Sequence, residues 1–448
     1  MSPTFEIRVT PMRVDLDPAS GGAGKSPKPE SRFVILDFGT VDLAGPASAA
    51  AAITDIYGFV RDGRTVILTR ESPLLAAALA DVGLVAVTKP KATAASVDDA
   101  HVVFAGSVDI DGAVVVRPTP AKGPALRVAL AGLGRIGEGA ALRLAGENPD
   151  YELCGALVRE PFKERAPLAV DQLTNDLSAF FATRPDVIID ALPDAAAGRA
   201  LTRAALARGV SVVTANKQAI AGAVDDLTKR AAATGAALRY SASVGGGAPF
   251  IETVTRARQA GDVRSIEAVL NGTVNFILTA LAEGEAFDDA VKAAQVAGFA
   301  EPDPSADLSG SDARAKIAII SYAAYGEEIA LDAISIEALD GEKAARIASE
   351  GGCWKQLARL ERSPGGALNA SVRFERRDRD PLFANAQFEA NALRVTIEDC
   401  RTFECRGKGA GRKPTVESIL GDLGSIRRER LSALRAADAS VAAVAVSA

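Results

Sequence analysis

Six ionisable side chains crowd one short stretch of this chain, residues 294–316, which reads AQVAGFAEPDPSADLSGSDARAK, and four of them are candidates for chemistry: Glu301, Asp307, Asp312 and Lys316. Carboxylates in such a cluster can hold an ammonium group, and a lysine beside them can exchange a proton with a reacting oxygen or stabilise charge developing on it. Those are the needs of a site that holds an amino-acid substrate. Pro302 and Pro304 remove two backbone donors and push Glu301 and Asp303 out of the α region, which predicts an ordered loop for the acidic part. A helix is expected to start near Ser309 to Ser311, with Ser311 as N-cap and Asp312 in the first turn, where the helix dipole favours a carboxylate. Ile317, Ile319 and Ile320 give that helix an apolar side, and Asp312 and Lys316, four apart, share one face. A surface Asp/Lys pair at this spacing is ordinarily a solvated salt bridge. The proline-stiffened acidic loop leading into it is what argues for a site.

A second constellation lies upstream. The apolar run Leu126 to Ala131 leads straight into Gly132-x-Gly134-x-x-Gly137, with Arg135 and Ile136 inside the motif and an alanine-rich helical segment after it. The first glycine permits a tight turn, the second lets backbone approach a pyrophosphate, and the third lets the helix sit close on the strand, so the pattern predicts dinucleotide binding. YELCGALV supplies the next strand, followed by Val158-Arg159-Glu160. Arg159, with Lys163 nearby, would pair with a 2′-phosphate and favours NADP, whereas Glu160 would hold the 2′-hydroxyl of NAD; dual use stays open. RPDVIIDALPD, ALTRAALARG and GVSVVTANKQ continue the alternation of strand and helix and bring Lys217 to the carboxyl edge of a doubly wound sheet, where ligands bind in such folds.

The 448 residues suggest about three domains. With 48% hydrophobic and 24% charged residues and a net charge of -6, the chain has globular composition and no basic footprint, which argues against nucleic acid as a partner. No apolar run approaches the ~20 residues of a membrane span, and residues 1–30 lack a signal-peptide core, so a cytoplasmic protein without membrane contact is expected. Cys154, Cys353, Cys400 and Cys405 have neither zinc-site nor redox spacing and read as core or strand residues. The one histidine, His101, lies far along the chain from the acidic stretch, so proton transfer should fall to Lys, Asp, Glu, Tyr or water.

The expected organisation is a flexible arm, or an early strand and a linker (1–30), an accessory α/β domain (31–120), a Rossmann-like cofactor domain (125–243), and an α+β catalytic and dimerisation domain (244–405). A segment returning to the cofactor domain (406–425) and a C-terminal helix or tail (426–448) complete it. In the accessory domain FVILDF, TVILT, LVAVT, HVVFAG and AVVVRP read as strands, and residues 44–60 and 73–83 as helices. PTPAKGP, 118–124, reads as a linker. The opening of this unit resembles the first strand and turn of amino-acid kinases, with Asp37 where that family carries a lysine. It is too short for a kinase, and a non-catalytic accessory role is expected. The alternating residues of 371–408 read as antiparallel strands of a mixed sheet, which would pack on a copy of itself in a homodimer.

The spacing from Ala294 through Gly298, Phe299, Ala300, Asp303, Pro304, Asp307, Leu308, Gly310 and Asp312 to Lys316 resembles the signature of homoserine dehydrogenases at each defined position. The resemblance runs from about Leu126 to Leu423 and implies reversible reduction of L-aspartate 4-semialdehyde to L-homoserine with NAD(P)H. It implies that Lys217, in a segment similar to the family's T-A-N-K, and Lys316 flank the reacting oxygen, with Lys316 as acid/base, Asp312 orienting it, and the second cation lowering the pKa of the acid/base lysine. Glu301 and Asp307 would bind the substrate's ammonium or hydroxyl groups. Asn271, Gly272, Thr273 and Asn275 would donate to its carboxylate, and Gly411 would approach the nicotinamide cofactor. The family's glycine-rich turn can bind sodium through backbone carbonyls, here those of Val244, Gly246 and Ala248, and a glutamate, here replaced by Ser241. No ACT-type regulatory module is apparent. An oxidoreductase acting on another short amino aldehyde, or a silent homologue, are the rival readings.

Overall fold

The computed structural model describes residues 6–11, 32–36, much of 53–119, and 125–446 apart from 146–149, 166 and 410. The protein is α/β and built on three sheets. Strands β1 (Glu6–Pro11), β2 (Phe33–Leu36), β3 (Thr65–Leu68), β4 (Ala86–Thr93), β5 (Val102–Asp109) and β6 (Val114–Thr119) form the N-terminal sheet in the order β1-β6-β2-β3-β5-β4. Its strands are parallel except β1, which runs antiparallel to β6 with Glu6 opposite Thr119 and Pro11 opposite Val114. Of the two readings of the N-terminal segment, the early strand holds for Glu6–Pro11. A ladder along β6 satisfies backbone groups that an open edge would leave exposed, and composition carries no trace of that. The remainder of the arm, the linker 120–124 and most of the 44–60 helix lie outside the described residues; Ile53, Ile56, Phe59 and Val60 are helical and buried.

The second sheet contains β7 (Leu126–Ala131), β8 (Tyr151–Leu157), β9 (Leu173–Thr174), β10 (Val187–Asp190), β11 (Ser211–Thr214) and β12 (Leu238–Arg239), in the order β12-β11-β10-β7-β8-β9 and parallel throughout. The strand order reverses between β7 and β10, and that switch point opens a crevice at the carboxyl ends of the strands. β10 is buried at every position, as a strand covered on both faces must be.

The third sheet is mixed: β13 (Val263–Val269), β14 (Ser335–Ile336), β15 (Trp354–Arg362), β16 (Leu368–Arg376), β17 (Ala390–Ile397) and β18 (Thr402–Lys408), in the order β14-β16-β15-β13-β17-β18. Its pairs are antiparallel except β14 with β16. The Phe250–Ala260 and Ser311–Tyr325 helices lie between the second and third sheets, and one continuous apolar core, including Ile188, Val254, Ile317 and Val395, runs through both. The Ser311–Tyr325 helix is buried nearly all round, so Asp312 and Lys316 leave water together with Ile317, Ile319 and Ile320.

The expected returning segment and C-terminal helix are one element, a helix from Arg412 to Val446. Val416, Ile419, Leu420, Leu423 and Ile426 seat its first half in the core of the cofactor sheet, and that burial lets the helix continue where the sequence suggested a break. Cys154 and Cys405 are strand residues, and all four cysteines are unpaired. Cys400, expected in a core or strand, is exposed in a turn with φ of 67°. The N-terminal sheet docks on the Phe250–Ala260 helix: His101 Nε2 lies 3.0 Å from Thr253 Oγ1, and Arg256 donates to Ala100 O at 2.6 Å.

Candidate active site

The glycine turn is shaped for close approach at two positions and open at the third. Gly132 has φ of 90°, and a Cβ there would lie 2.8 Å from Ala191 O across the switch point. A Cβ on Gly137 would lie 2.0 Å from Gly132 O, whereas one on Gly134 would meet nothing within 4 Å. That open side, at the N-cap of the Arg135–Leu144 helix, suits a diphosphate. Past β8, Arg159, Glu160 and Lys163 are exposed, and Arg165 ties their loop to the turn by donating to Leu133 O at 3.5 Å.

A cavity of about 530 Å³ extends from this turn into the third-sheet half of the molecule. Lys217, Asn271, Glu301, Asp307, Asp312 and Lys316 all line it, although they come from widely separated stretches of the chain. Lys217 stands at the start of a single-turn helix, Lys217–Ile220, beyond β11, capped by Asn216. Asn271 caps the Gly272–Ala282 helix beyond β13, with Oδ1 accepting from Val274 N at 2.8 Å. The acidic loop holds Glu301 and Asp303, as its prolines require, and then makes one helical turn, Ser305–Leu308, which carries Asp307. The Ser311–Tyr325 helix is capped by Gly310 at φ of 81°, and Ser311 is its first residue; Ser311 Oγ instead donates to Ala306 O at 3.0 Å. The left-handed backbone at the cap favours glycine over serine, and a Cβ on residue 310 would also sit 3.3 Å from Glu337 O.

Asp312 joins the two lysines. Lys217 Nζ lies 2.9 Å from its Oδ1 and Lys316 Nζ 2.8 Å from its Oδ2. Lys316 Nζ also donates to Leu270 O at 2.7 Å. Burial raises the Asp312 carboxyl, but the two ammonium groups outweigh it and hold the group down at about 2. Asp312 in turn holds Lys217 above its ordinary value, against the lowering effect of burial. The second cation expected beside Lys316 is present, with a carboxylate between the two. Asp307 is raised, first by burial and then by the neighbouring Asp312.

The amide of Asn271 donates to Asp307 Oδ1 at 2.8 Å and to Asp312 Oδ2 at 3.2 Å, so both of its hydrogens go to the acids. Thr273 Oγ1 donates to Phe299 O at 2.6 Å, and Asn275 Nδ2 donates to Ala386, Phe388 and Ala390 carbonyls away from the cavity. The donors left at this helix start are the first-turn backbone N–H groups at Gly272 and Thr273, which have no intrahelical acceptor. Gly272 must approach backbone closely, since a Cβ there would be 2.9 Å from Glu389 O. Gly411, with φ of 123°, and Gly246 line the opposite wall. Val244 also lines it, whereas Arg159 and Ala248 are not among the lining residues. Leu192, Ser243 and Thr415 line the cavity without having been singled out in the sequence, and Asp303 of the expected loop lines it too. Leu192 follows a strand end and Ser243 leads into the glycine-rich turn, which were the signals available; Thr415 carried none.

At the glycine-rich turn Ser241 is buried, Ala248 O accepts from Phe250 N at 2.8 Å, and no cluster of three or more His, Cys, Asp or Glu able to hold a metal occurs among the described residues. The set lacks an anionic ligand for a hard cation and fits sodium poorly. His101 lies outside the cavity; burial, with a further contribution from Arg256, pushes it down to about 3.

Residues 249–423 match the sequence profile described as Homoserine dehydrogenase, and residues 132–241 the profile described as Homoserine dehydrogenase, NAD binding domain. The homoserine dehydrogenase of Corynebacterium glutamicum is 31% identical over 337 residues, which cover 71% of this chain and 76% of that one. The chain belongs to the homoserine dehydrogenase family. It is thereby an NAD(P)-dependent oxidoreductase. The homoserine dehydrogenase of Synechocystis is 32% identical, over 66% of this chain and 72% of its own. Among solved structures, a homoserine dehydrogenase from Thiobacillus denitrificans superposes with a TM-score of 0.62 at 27% identity, over 68% of this chain and 74% of that one. Both family profiles begin after the N-terminal sheet, which lies outside them. No helix among the described residues is long and apolar enough to cross a membrane.

Proposed function

We propose that this protein catalyses the reversible NAD(P)H-dependent interconversion of L-aspartate 4-semialdehyde and L-homoserine, a step toward threonine, methionine and isoleucine. The observation that carries the reading is the pair of lysines joined by one buried carboxylate in a cavity that also borders the glycine turn. NAD(P)H, when bound along that turn, supplies the hydride. The substrate's ammonium is held by Glu301 and Asp307, and its carboxylate by first-turn N–H groups at Gly272 and Thr273. That leaves the carbonyl oxygen beside Lys217 and Lys316. As the carbonyl carbon is reduced, the oxygen takes a proton from Lys316, while Lys217, kept cationic by Asp312, stabilises the negative charge until that transfer is complete. Asp312 holds Lys217 above its ordinary value, so that side chain meets the developing charge as a cation.

Exposed Arg159 and Lys163 beyond β8 favour NADP, with NAD accepted. A homodimer formed through the mixed sheet, and a cytoplasmic location, accord with the same reading. The test is oxidation of L-homoserine by the purified protein, followed as reduced cofactor with NADP⁺ and NAD⁺ in parallel. Turnover is expected, faster with NADP⁺. Cofactor binding without turnover on homoserine overturns the substrate assignment and leaves another short amino aldehyde.

A further inference from the structure

The carboxyl ends of β10 and β11 meet in a buried polar node that none of the steps above uses. Asp190, the last residue of β10, is fully buried, and the three residues before it, Val187, Ile188 and Ile189, are apolar and equally buried. Its Oδ1 accepts the Leu192 N–H at 3.1 Å and its Oδ2 accepts the Thr214 hydroxyl at 3.0 Å. Thr214 Oγ1 accepts the Asn216 N–H at 3.0 Å, and Thr214 O accepts the Ser243 hydroxyl at 2.7 Å. Asn216 then caps the Lys217–Ile220 helix through Ala219 N at 3.2 Å. Leu192, Asn216 and Ser243 come from three different segments, and all three line the cavity.

Among the described residues no cation pairs with Asp190, and burial pushes its carboxyl up to about 6 against the hydrogen bonds from Leu192 and Thr214. A carboxyl group in that place is costly, and a fourth apolar residue would pack β10 more cheaply. What the polar node supplies is connection between three wall segments. A single-turn helix does not hold itself, so the direction of its first residue depends on its cap and on whatever the cap is tied to. Here that first residue is Lys217, whose Nζ meets Asp312 at 2.9 Å.

We propose that Asp190 and Thr214 are positioning residues for the reaction, which set Lys217 against Asp312 by fixing the cap of its helix. The proposal rests on the role given to Lys217 above. The test measures kcat and KM for L-homoserine, and cofactor dissociation constants, on the full-length protein. The variants are Thr214→Val, Thr214→Ser and Asp190→Asn, together with Lys217→Ala and the double variant Thr214→Val/Lys217→Ala assayed at high enzyme concentration. Thr214→Val and Asp190→Asn are expected to lower kcat about tenfold or more, with cofactor affinity within about twofold. Thr214→Ser, which keeps the hydroxyl, should retain at least about half of the wild-type rate. The double variant should be no slower than Lys217→Ala alone, since a residue that acts through Lys217 has nothing left to act on. Loss of cofactor binding in Thr214→Val, or a double variant slower by the full product of the two single effects, overturns the proposal in favour of a general structural role. If Lys217→Ala is slow while Thr214→Val turns over normally, the positioning idea alone fails. Wild-type turnover in Lys217→Ala would sink the reading of Lys217 and this proposal with it.

Discussion

Replacing Asp312 with asparagine removes the one anion that joins Lys217 and Lys316 while keeping its size. At an effective dielectric constant of about 20, charges near 3 Å apart attract by on the order of 6 kcal/mol, and the distances here are 2.9 and 2.8 Å. Desolvation of the three groups offsets most of that, and the exposed third of Lys217 screens its share further. What remains is the penalty of leaving buried cations without a partner, about 3–5 kcal/mol when one member of a buried pair is deleted. Asp312→Asn should therefore lower the thermal midpoint by about 5 °C or more. It should also move the alkaline limb of aldehyde reduction to lower pH, because Asp312 is the largest influence holding Lys217 up. The assays are thermal melts at pH 7 and initial rates of aldehyde reduction across pH 6 to 10. A variant that melts within about 2 °C of wild type and keeps its alkaline limb in place refutes the bridging argument.

Three further perturbations test other parts of the molecule. Lys316→Ala should remove most turnover, about 10²-fold or more, and leave cofactor binding nearly intact; retention of more than about a tenth of the wild-type rate rules it out as the proton donor. Gly137→Ala places a Cβ 2.0 Å from Gly132 O, a backbone atom, so the turn must shift: cofactor affinity measured by fluorescence titration should fall by about tenfold or more, and the thermal midpoint should fall with it. His101 has a folded pKa near 3, below its unfolded value of 6.5, so the fold favours the neutral ring. The stability it contributes is complete above pH 6.5 and is lost as pH falls toward 3, amounting to about 2 kcal/mol at pH 5. His101→Gln should flatten the decline in thermal midpoint between pH 7 and 5, and an unchanged slope excludes His101 as its source.

The strands and helices of the cofactor half were legible because their signals are local. β7, the glycine turn and its helix follow from an apolar run, three glycines and an alanine-rich stretch. The 311–325 helix was equally plain, but its cap was misread: Ser311 looks like an N-cap, whereas the chain enters the helix through a left-handed residue, Gly310, with Glu337 O close by. The strand at Glu6–Pro11 was legible only as an alternative to a mobile arm, since its hydrogen-bond partner lies more than a hundred residues away. Likewise, the 35-residue C-terminal helix is continuous because its first half is buried on the cofactor sheet, which local propensity does not report.

At the site, the sequence by itself determined the inventory: two lysines, a set of carboxylates and a turn fit for a diphosphate, with spacings that put Asp312 and Lys316 on one helical face. Residue type and short-range geometry are sufficient for that. Only the tertiary structure decided how the charges pair. It put Asp312 between Lys217 and Lys316, which holds Lys217 above its ordinary value, and it turned the Asn271 amide onto the acids. It also set Asp190 beneath three wall segments. These are contacts between residues far apart in the chain, and electrostatic interactions depend on distance in space and on burial, which a sequence fixes only through its fold.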